Sequence, residues 1–445
     1  MSLRLRRGGK DLGSPPVPPG YGPTAGNQTV RDGTIPHAVT VPTGPFTTVN
    51  PGDSIAAKIT AAGTNGKLWF TKGTHNVSAT LAPLAGQQWY LESAGGYTRT
   101  AADSAVLTGN DTLLAAIVQT ALGGVQIRGG VFEHQGTALS ESFRAAIQHT
   151  NGAAVGDGNW LLEDVIIRNN RVKGLVMNGP NSIVRRCYIH SNGMYGISCG
   201  TTAVVLGTTY EYCRVSNNNT LQFSPVADAG GTKWSNCSNT TVQFSWFHDN
   251  YGSGIWFDGF MYNILIQENV VEDNRNWGIF YEISYGGTTI KRNFLSHNGE
   301  GDPSDDIFNN PQLLVSTCDG QNSPSANFQS IDVTKNSLVG SRRAIYLIDT
   351  VGHISGGVPG TRSVHVFDND ITFTTTSLDR VGAGGNTASD QIYTRDNTFE
   401  DNHYHTLDTA LAYFHWSGGS PGAGVNKTWA QWNAFGHDTP GGSIS

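Results

Sequence analysis

The sequence predicts an all-β solenoid, a parallel β-helix with a short capping helix near its N-terminus and an extended N-terminal arm. Three observations lead there. Short β-prone runs recur about every 22–26 residues from Gly123 onward, separated by Asn and Gly. Two signatures recur with them. One is N-x-apolar-x-x-N, at 269–274, 293–298 and 397–402, with looser copies at 187–192 and 244–250. The other is N-x-x-x-G-I, at Asn192/Gly196, Asn250/Gly254 and Asn274/Gly278. Finally, leucines are sparse and no repeat holds a helix-length segment, which removes a leucine-rich solenoid. A unit this short cannot bury its own apolar face, whereas stacked units share one continuous core. Asn suits the corners because it tolerates left-handed backbone, bonds its own backbone and can stack into a ladder.

Taken in chain order, residues 1–38 read as a Pro/Gly-rich arm ("GSPPVPPGYGP") that favours polyproline II and awaits a partner. Residues 39–445 form the solenoid. "GDSIAAKITAAG" (52–63) has helical spacing, with Ile55, Ala56 and Ile59 on one face, and would cap one end. "KLWFTKGTHNV" and "QQWYLES" follow as short strands. "TWAQWNAFGHD" (428–438) reads as a C-terminal strand and exit segment.

The chain has 445 residues, 14% of them charged, and a net charge of −7. It lacks the basic patch or stripe of a nucleic-acid binder. No apolar run approaches the roughly 20 residues a membrane helix needs, so no membrane span is expected. The basic start lacks the apolar run of about 7–15 residues of a secretory signal. Five cysteines without a C-x-x-C argue for buried free thiols over disulfides or zinc.

The strongest functional signal is a phrase written twice, "GSGIWFDG" at 253–260 and "WGIFYEIS" at 277–284. Side chains alternate faces along a strand. Aligning the coils on Gly231, Gly254 and Gly278 sends Ile255, Phe257, Ile279 and Tyr281 inward. Two outward columns result: Lys233–Trp256–Phe280 and Ser235–Asp258–Glu282. Neighbouring strands lie about 4.8 Å apart, so Asp258 and Glu282 repel and one pKa should rise unless a cation intervenes. Lys233 supplies part of that charge, and a Ca²⁺ held by Asp258 and Glu282 would supply more. Asp228 and His248 are placed at the turn before this face, and the acidic insertion 297–312 would overhang it. In the matching position of the earlier coil stands Gly200, so the solenoid does not require the acids.

Three chemistries could use this set. A lyase would use Lys233 as base and Asp258, Glu282 and Asp228 around a metal. A glycoside hydrolase would use Asp258 and Glu282 as its carboxyl pair. A binding protein would use Trp256 and Phe280 as a platform for sugar rings, with Asp228 and His248 as further contacts.

At "DAGGTKW", "GSGIWFDG" and "NWGIFYEISY" the sequence resembles the right-handed parallel β-helix repeat proteins of the pectate-lyase-like superfamily, over about residues 53–432. The resemblance implies a right-handed coil and polysaccharide lyase, hydrolase or epimerase chemistry. Tyr281 stands where that group often carries His, so a mechanism relying on a His there does not carry over. The arm and solenoid together also resemble phage minor tail, tail-fibre or tailspike proteins. That implies a virion tail protein, often a homotrimer. Residues 1–38 would dock to other tail proteins and the solenoid would bind, or depolymerise, a host-surface glycan. The alternative is a secreted bacterial polysaccharide lyase or hydrolase acting on an extracellular acidic polysaccharide.

Overall fold

The computed structural model describes residues 20–23, 31, 35–113, 116–135, 145–150, 157–200, 204–301, 311–316, 318, 329–349, 360–377, 380–385, 396–416, 426–439 and 441–445. Each coil contributes one strand to each of three long sheets. The first runs from Thr47–Val49 to Thr398–Glu400, the second from Gly73–Asn76 to Ser443–Ile444, and the third from Val118–Thr120 to Phe414–Trp416. Among the described residues they hold 13, 13 and 12 strands, and pairing within them is parallel except where Asn426–Lys427 closes the third sheet antiparallel. The chain is a right-handed parallel β-helix. One apolar column fills the interior over its whole length, from Val49 to Trp432.

Two corners carry buried asparagine ladders. At the corner between the second and third sheets, Asn170, Asn192, Asn218, Asn250, Asn274 and Asn298 stack coil upon coil. Asn250 is typical. Its Nδ2 donates to Val215 O at 3.1 Å and to Asn274 Oδ1 at 2.9 Å, and its Oδ1 accepts from Asn218. At the corner between the first and second sheets a second ladder runs through Asn269, Asn293, Asn336, Asn369 and Asn402 and ends on Asp438. The ladder asparagines are not the left-handed residues. That conformation falls on the residue before each, such as Asp249, Asp273 and His297, at φ 53°, 54° and 55°. The Gly of N-x-x-x-G-I is explained by the same corner. A Cβ on Gly254 would stand 2.6 Å from Val271 Cγ1 and 2.8 Å from Asn274 Nδ2, so no side chain fits there.

Several sequence expectations are corrected. The 397–402 copy of the first signature is out of phase, because its strand Thr398–Glu400 belongs to the first sheet while Val270–Glu272 and Phe294–Ser296 belong to the second. The capping helix is Ile55–Ala62, with Ile55 and Ile59 buried but Ala56 exposed. The C-terminal segment is a helix, Trp429–Ala434, and not a strand. Thr428 and Gln431 form a capping box, and Trp432 plugs the core end. Asp438 terminates the ladder and also accepts from Tyr404 OH and Trp432 Nε1. "HYH" and "FHW" form regular strands of the second and third sheets, His403–His405 and Phe414–Trp416. Cys199 and Cys237 form a disulfide, contrary to the free-thiol expectation, while Cys187, Cys213 and Cys318 are buried thiols. Coiling brings Cys199 and Cys237, 38 residues apart, to neighbouring coils, which spacing alone does not reveal.

Most of the arm lies outside the described residues. Those described lie along the solenoid. Tyr21 OH donates to Asp368 Oδ1 at 2.7 Å, Arg31 stands 5.6 Å over the Trp246 ring, and the His37 backbone N–H donates to Asp164 Oδ1.

The ladder makes a stability prediction. Asn250→Ala strands the Val215 carbonyl and the Asn218 donors, at about 1–3 kcal/mol for each buried group left unsatisfied. It should lower the denaturation midpoint and speed unfolding. Gln267→Ala, which removes only a half-buried bond to the Gln243 side chain, should change either quantity little. Equal effects from the two variants would contradict the ladder's role.

Candidate functional site

The strands Ile255–Asp258 and Ile279–Glu282 of the third sheet pair in the expected register: Ile255 with Ile279, Trp256 with Phe280, Phe257 with Tyr281 and Asp258 with Glu282. Trp234 pairs with Phe257, which sets Lys233 beside Trp256 and Ser235 beside Asp258. Ile255, Phe257, Ile279 and Tyr281 enter the core. Tyr281 donates inside the core to Tyr285 O at 2.8 Å.

Lys233 is the hub of the outer face. Its Nζ lies 3.0 Å from Asp258 Oδ2 and 3.8 Å from Asp228 Oδ1. It donates to Ala227 O at 2.9 Å and sits 3.9 Å from the Trp256 ring centroid, a cation–π contact. From the preceding coil Tyr195 OH donates to Asp228, and Lys173 Nζ stands 5.3 Å over the Tyr195 ring. Burial pulls the Lys173 ammonium below its ordinary pKa, and Lys233 adds to that while Asp228 opposes it. Burial, with Asp228 next, pushes the Tyr195 phenol well up.

Asp258 and Glu282 differ sharply. Glu282 is 5% exposed, and burial pushes its carboxyl up to about 8, with the Asp258 charge adding. Trp256 Nε1, donating to Glu282 Oε2 at 3.2 Å, and Lys233 pull the other way. Of the two carboxyls, the ammonium therefore faces Asp258 at ion-pair distance while Glu282 holds its proton at neutral pH.

Beside this cluster a trough of about 470 Å³ opens toward the N-terminal coils. Gln148, Lys173, Asn178, Ser198, Asp228 and Lys233 line it, with Val176, Cys199, Gly200 and Ser235.

The structure thus brings together Lys233, Asp258, Glu282 and Asp228, but it corrects three expectations. Trp256 and Phe280 point away from the core yet are 3% and 0% exposed. They pack with Trp277, Leu314, Tyr346 and Ile348 in a second apolar cluster and offer no platform for a sugar ring. His248 lies on the second sheet, stacked on Trp246 at 3.8 Å and accepting from Arg214 Nε, on a different sheet from Lys233. A Ca²⁺ does not fit. Asp258 already faces an ammonium, and no three His, Cys, Asp or Glu side chains converge among the described residues. Residues 302–310 of the acidic insertion lie outside the described residues.

Gln148, Lys173, Asn178, Tyr195 and Ser198 were missed. The column that holds Lys233 continues through Ser198 and Val176 to Gln148, so carrying the repeat three coils further back would have reached it. Lys173 and Tyr195 were hidden by an irregularity. Lys173 pairs with Tyr195 and Leu175 with Ile197, yet both members of the first pair lie outside the core column that holds the second, which breaks simple alternation.

Comparison with known proteins agrees on the fold. A family model described as right handed beta helix region matches residues 146–319. No curated protein matches the sequence. Among solved structures the chain is similar to the A-module of the mannuronan C-5 epimerase AlgE6 of Azotobacter vinelandii, at 15% identity and TM-score 0.56, covering 88% of this chain and 98% of the module. It is also similar to the tailspike protein of E. coli bacteriophage HK620 in complex with a pentasaccharide, at 13% identity and TM-score 0.51, covering 83% of this chain and 61% of the tailspike. A third likeness is to the catalytic unit of a GH87 alpha-1,3-glucanase from Streptomyces thermodiastaticus, at 14% identity and TM-score 0.50, covering 89% and 72%. The protein is a right-handed parallel β-helix protein. At these identities the likeness establishes the fold alone.

Glu282 makes a pH prediction. Its folded pKa of about 8 lies above its ordinary value near 4.5, so the native state holds a proton the unfolded chain gives up. Its contribution to stability is intact below about 4.5 and is lost as pH rises to about 8. Between pH 5 and pH 8 the wild-type Tm should fall more than that of Glu282→Gln, by several degrees. Parallel pH profiles for the two proteins would show that Glu282 ionises normally.

Proposed function

We propose that the protein binds an acidic polysaccharide in the trough on the outer face of the third sheet. The observation that carries this reading is the lining. Two lysines, Lys173 and Lys233, stand at one trough with Asp228, while Gln148, Asn178 and Ser198 supply neutral hydrogen-bonding groups. Ammonium groups suit uronate carboxylates, and amide and hydroxyl groups suit sugar hydroxyls. Lys233 acts as a fixed positive charge. It is already engaged by Asp258, Ala227 O and the Trp256 ring, which does not suit the free amine that a lyase base requires.

A second reading, hydrolysis, is favoured by the carboxyl pair. Glu282 carries a proton at neutral pH and Asp258, its cross-strand partner in register, faces Lys233. Glycosidases that retain configuration use carboxyl groups roughly 5–5.5 Å apart, one as acid and one as nucleophile. In this reading Glu282 is the acid and Asp258 the nucleophile. Cleavage falls as pH rises through about 8, and Glu282→Gln binds glycan without cutting it.

In biological terms we read the chain as a phage-tail β-helix that meets a host-surface glycan, with residues 1–38 as the docking arm and a homotrimer as the working form. The tailspike likeness supports the architecture of this reading. The alternative is a secreted bacterial enzyme using the same trough. The Cys199–Cys237 disulfide fits the oxidising surroundings of either a virion surface or a secreted protein. Sedimentation of the full chain should give three times the monomer mass, and a monomer at micromolar concentration would remove the trimer.

Calorimetric titration tests the central reading. The full chain should bind oligogalacturonates or oligomannuronates and not neutral oligoglucosides. Lys233→Ala and Lys173→Ala should each weaken binding about 10-fold or more, some 1.4 kcal/mol. Unchanged affinity in both variants, or equal affinity for neutral glycans, would overturn it.

A further inference from the structure

A second cavity, of about 550 Å³, opens around the corner from the lysine trough on the same coils. His134, Asn169, Arg171, Ser191, Thr220 and Leu221 are among its lining residues. Arg171 precedes Lys173 by two residues, and Gly193, also in the lining, precedes Tyr195 by two. An extended chain advances about 3.3 Å per residue, so the Arg171 and Lys173 α-carbons lie no more than about 7 Å apart. The two cavities therefore adjoin across one corner. Between them lies an apolar ridge. Val172, Met194, Tyr195 and Ala229 are buried there, and the half-buried Phe223 packs against them.

Arg171 gives this cavity its chemistry. Its Nε is buried and has no hydrogen-bond partner among the described residues. A planar guanidinium is matched by a carboxylate that takes two parallel N–H bonds. Asp111, the acid in the lining, is turned to His134, with Oδ1 3.3 Å from the ring Nδ1. Ser191, Thr220 and Asn169 add groups suited to sugar hydroxyls.

We propose that this cavity is a second subsite for the acidic glycan, in which Arg171 takes the carboxylate of a sugar unit neighbouring the one held at Lys173 and Lys233. The proposal rests on the acidic-glycan reading of the trough and extends it to a track that bends around the corner between the second and third sheets. The ridge at Phe223 faces the sugar rings as the glycan crosses. Short oligomers fill the trough alone, and longer ones reach Arg171.

Oligogalacturonates and oligomannuronates of two to six units, titrated into the full chain, test this. Wild-type affinity should rise with length. Arg171→Ala should weaken the six-unit ligand about 10-fold and leave the two-unit ligand unchanged, and Arg171→Lys should recover part of the loss. Thr220→Glu, an exposed change that fills the cavity and repels a carboxylate, should block the gain with length and tests the subsite even if Arg171→Ala fails to fold. If Arg171→Ala and Thr220→Glu bind every length as wild type does while Lys233→Ala weakens all of them, the second subsite is wrong and the trough stands. A loss equal at all lengths in Arg171→Ala would make its role structural and overturn the subsite. If the wild-type chain binds none of these ligands, the acidic-glycan reading itself falls.

Discussion

Every coil of this protein must lie on the next in strict register, and the side-chain amides at two corners enforce it. An asparagine such as Asn250 ties the backbone of the coil before it to the amide of the coil after it, inside a core that offers no water to replace those bonds. A slip of one residue would turn the apolar set outward and strand the ladder at once. The Gly at the start of the third-sheet strands follows from the same constraint, since the neighbouring coil's amide and carbonyl occupy the space of a side chain. Stacking fixes the inward positions. The outward positions are thereby released, and chemistry can be written in them coil by coil.

The third sheet uses that freedom in two ways along its length. Toward the C-terminal coils the outward column is apolar, and Trp256, Phe280, Leu314 and Tyr346 bury one another. Toward the N-terminal coils it is polar, with Lys233, Ser198 and Gln148 lining the trough. Lys233 stands at the boundary, over the first indole of the apolar stretch and against the carboxylate of Asp258. The same boundary separates the two acids. Asp258 meets the ammonium, whereas Glu282, one coil further on, is deep enough that burial holds its proton. Position along the solenoid, more than residue type, decides how deeply each carboxyl is buried.

The fold was legible because its signals are periodic. The spacing, the corner asparagines and the glycines each report a geometric need repeated in every coil, and the register of Asp258 against Glu282 followed from them. What failed was whatever depended on a third dimension not encoded in the repeat. Alternation showed that Trp256 and Phe280 leave the core but not that they enter another apolar cluster. A hint existed in "LLVS" and "IYLID", which are apolar at both parities and so have no solvent-facing side. His248 stands shortly before a third-sheet strand in sequence, yet one corner separates it from that sheet in space. The "TWAQ" capping box was readable, but an expected closing strand masked it. Lys173 and Arg171 lay in coils without the repeated phrase, and only the coordinates join them to Lys233.

A crystal of the protein soaked with a six-unit uronate gives the most direct test of the claim that the third sheet presents an acidic-glycan site. The sugar should lie in the trough, with carboxylate oxygens within hydrogen-bond distance of Lys173 and Lys233. A ligand bound elsewhere on the solenoid, with that trough left to solvent, would contradict it.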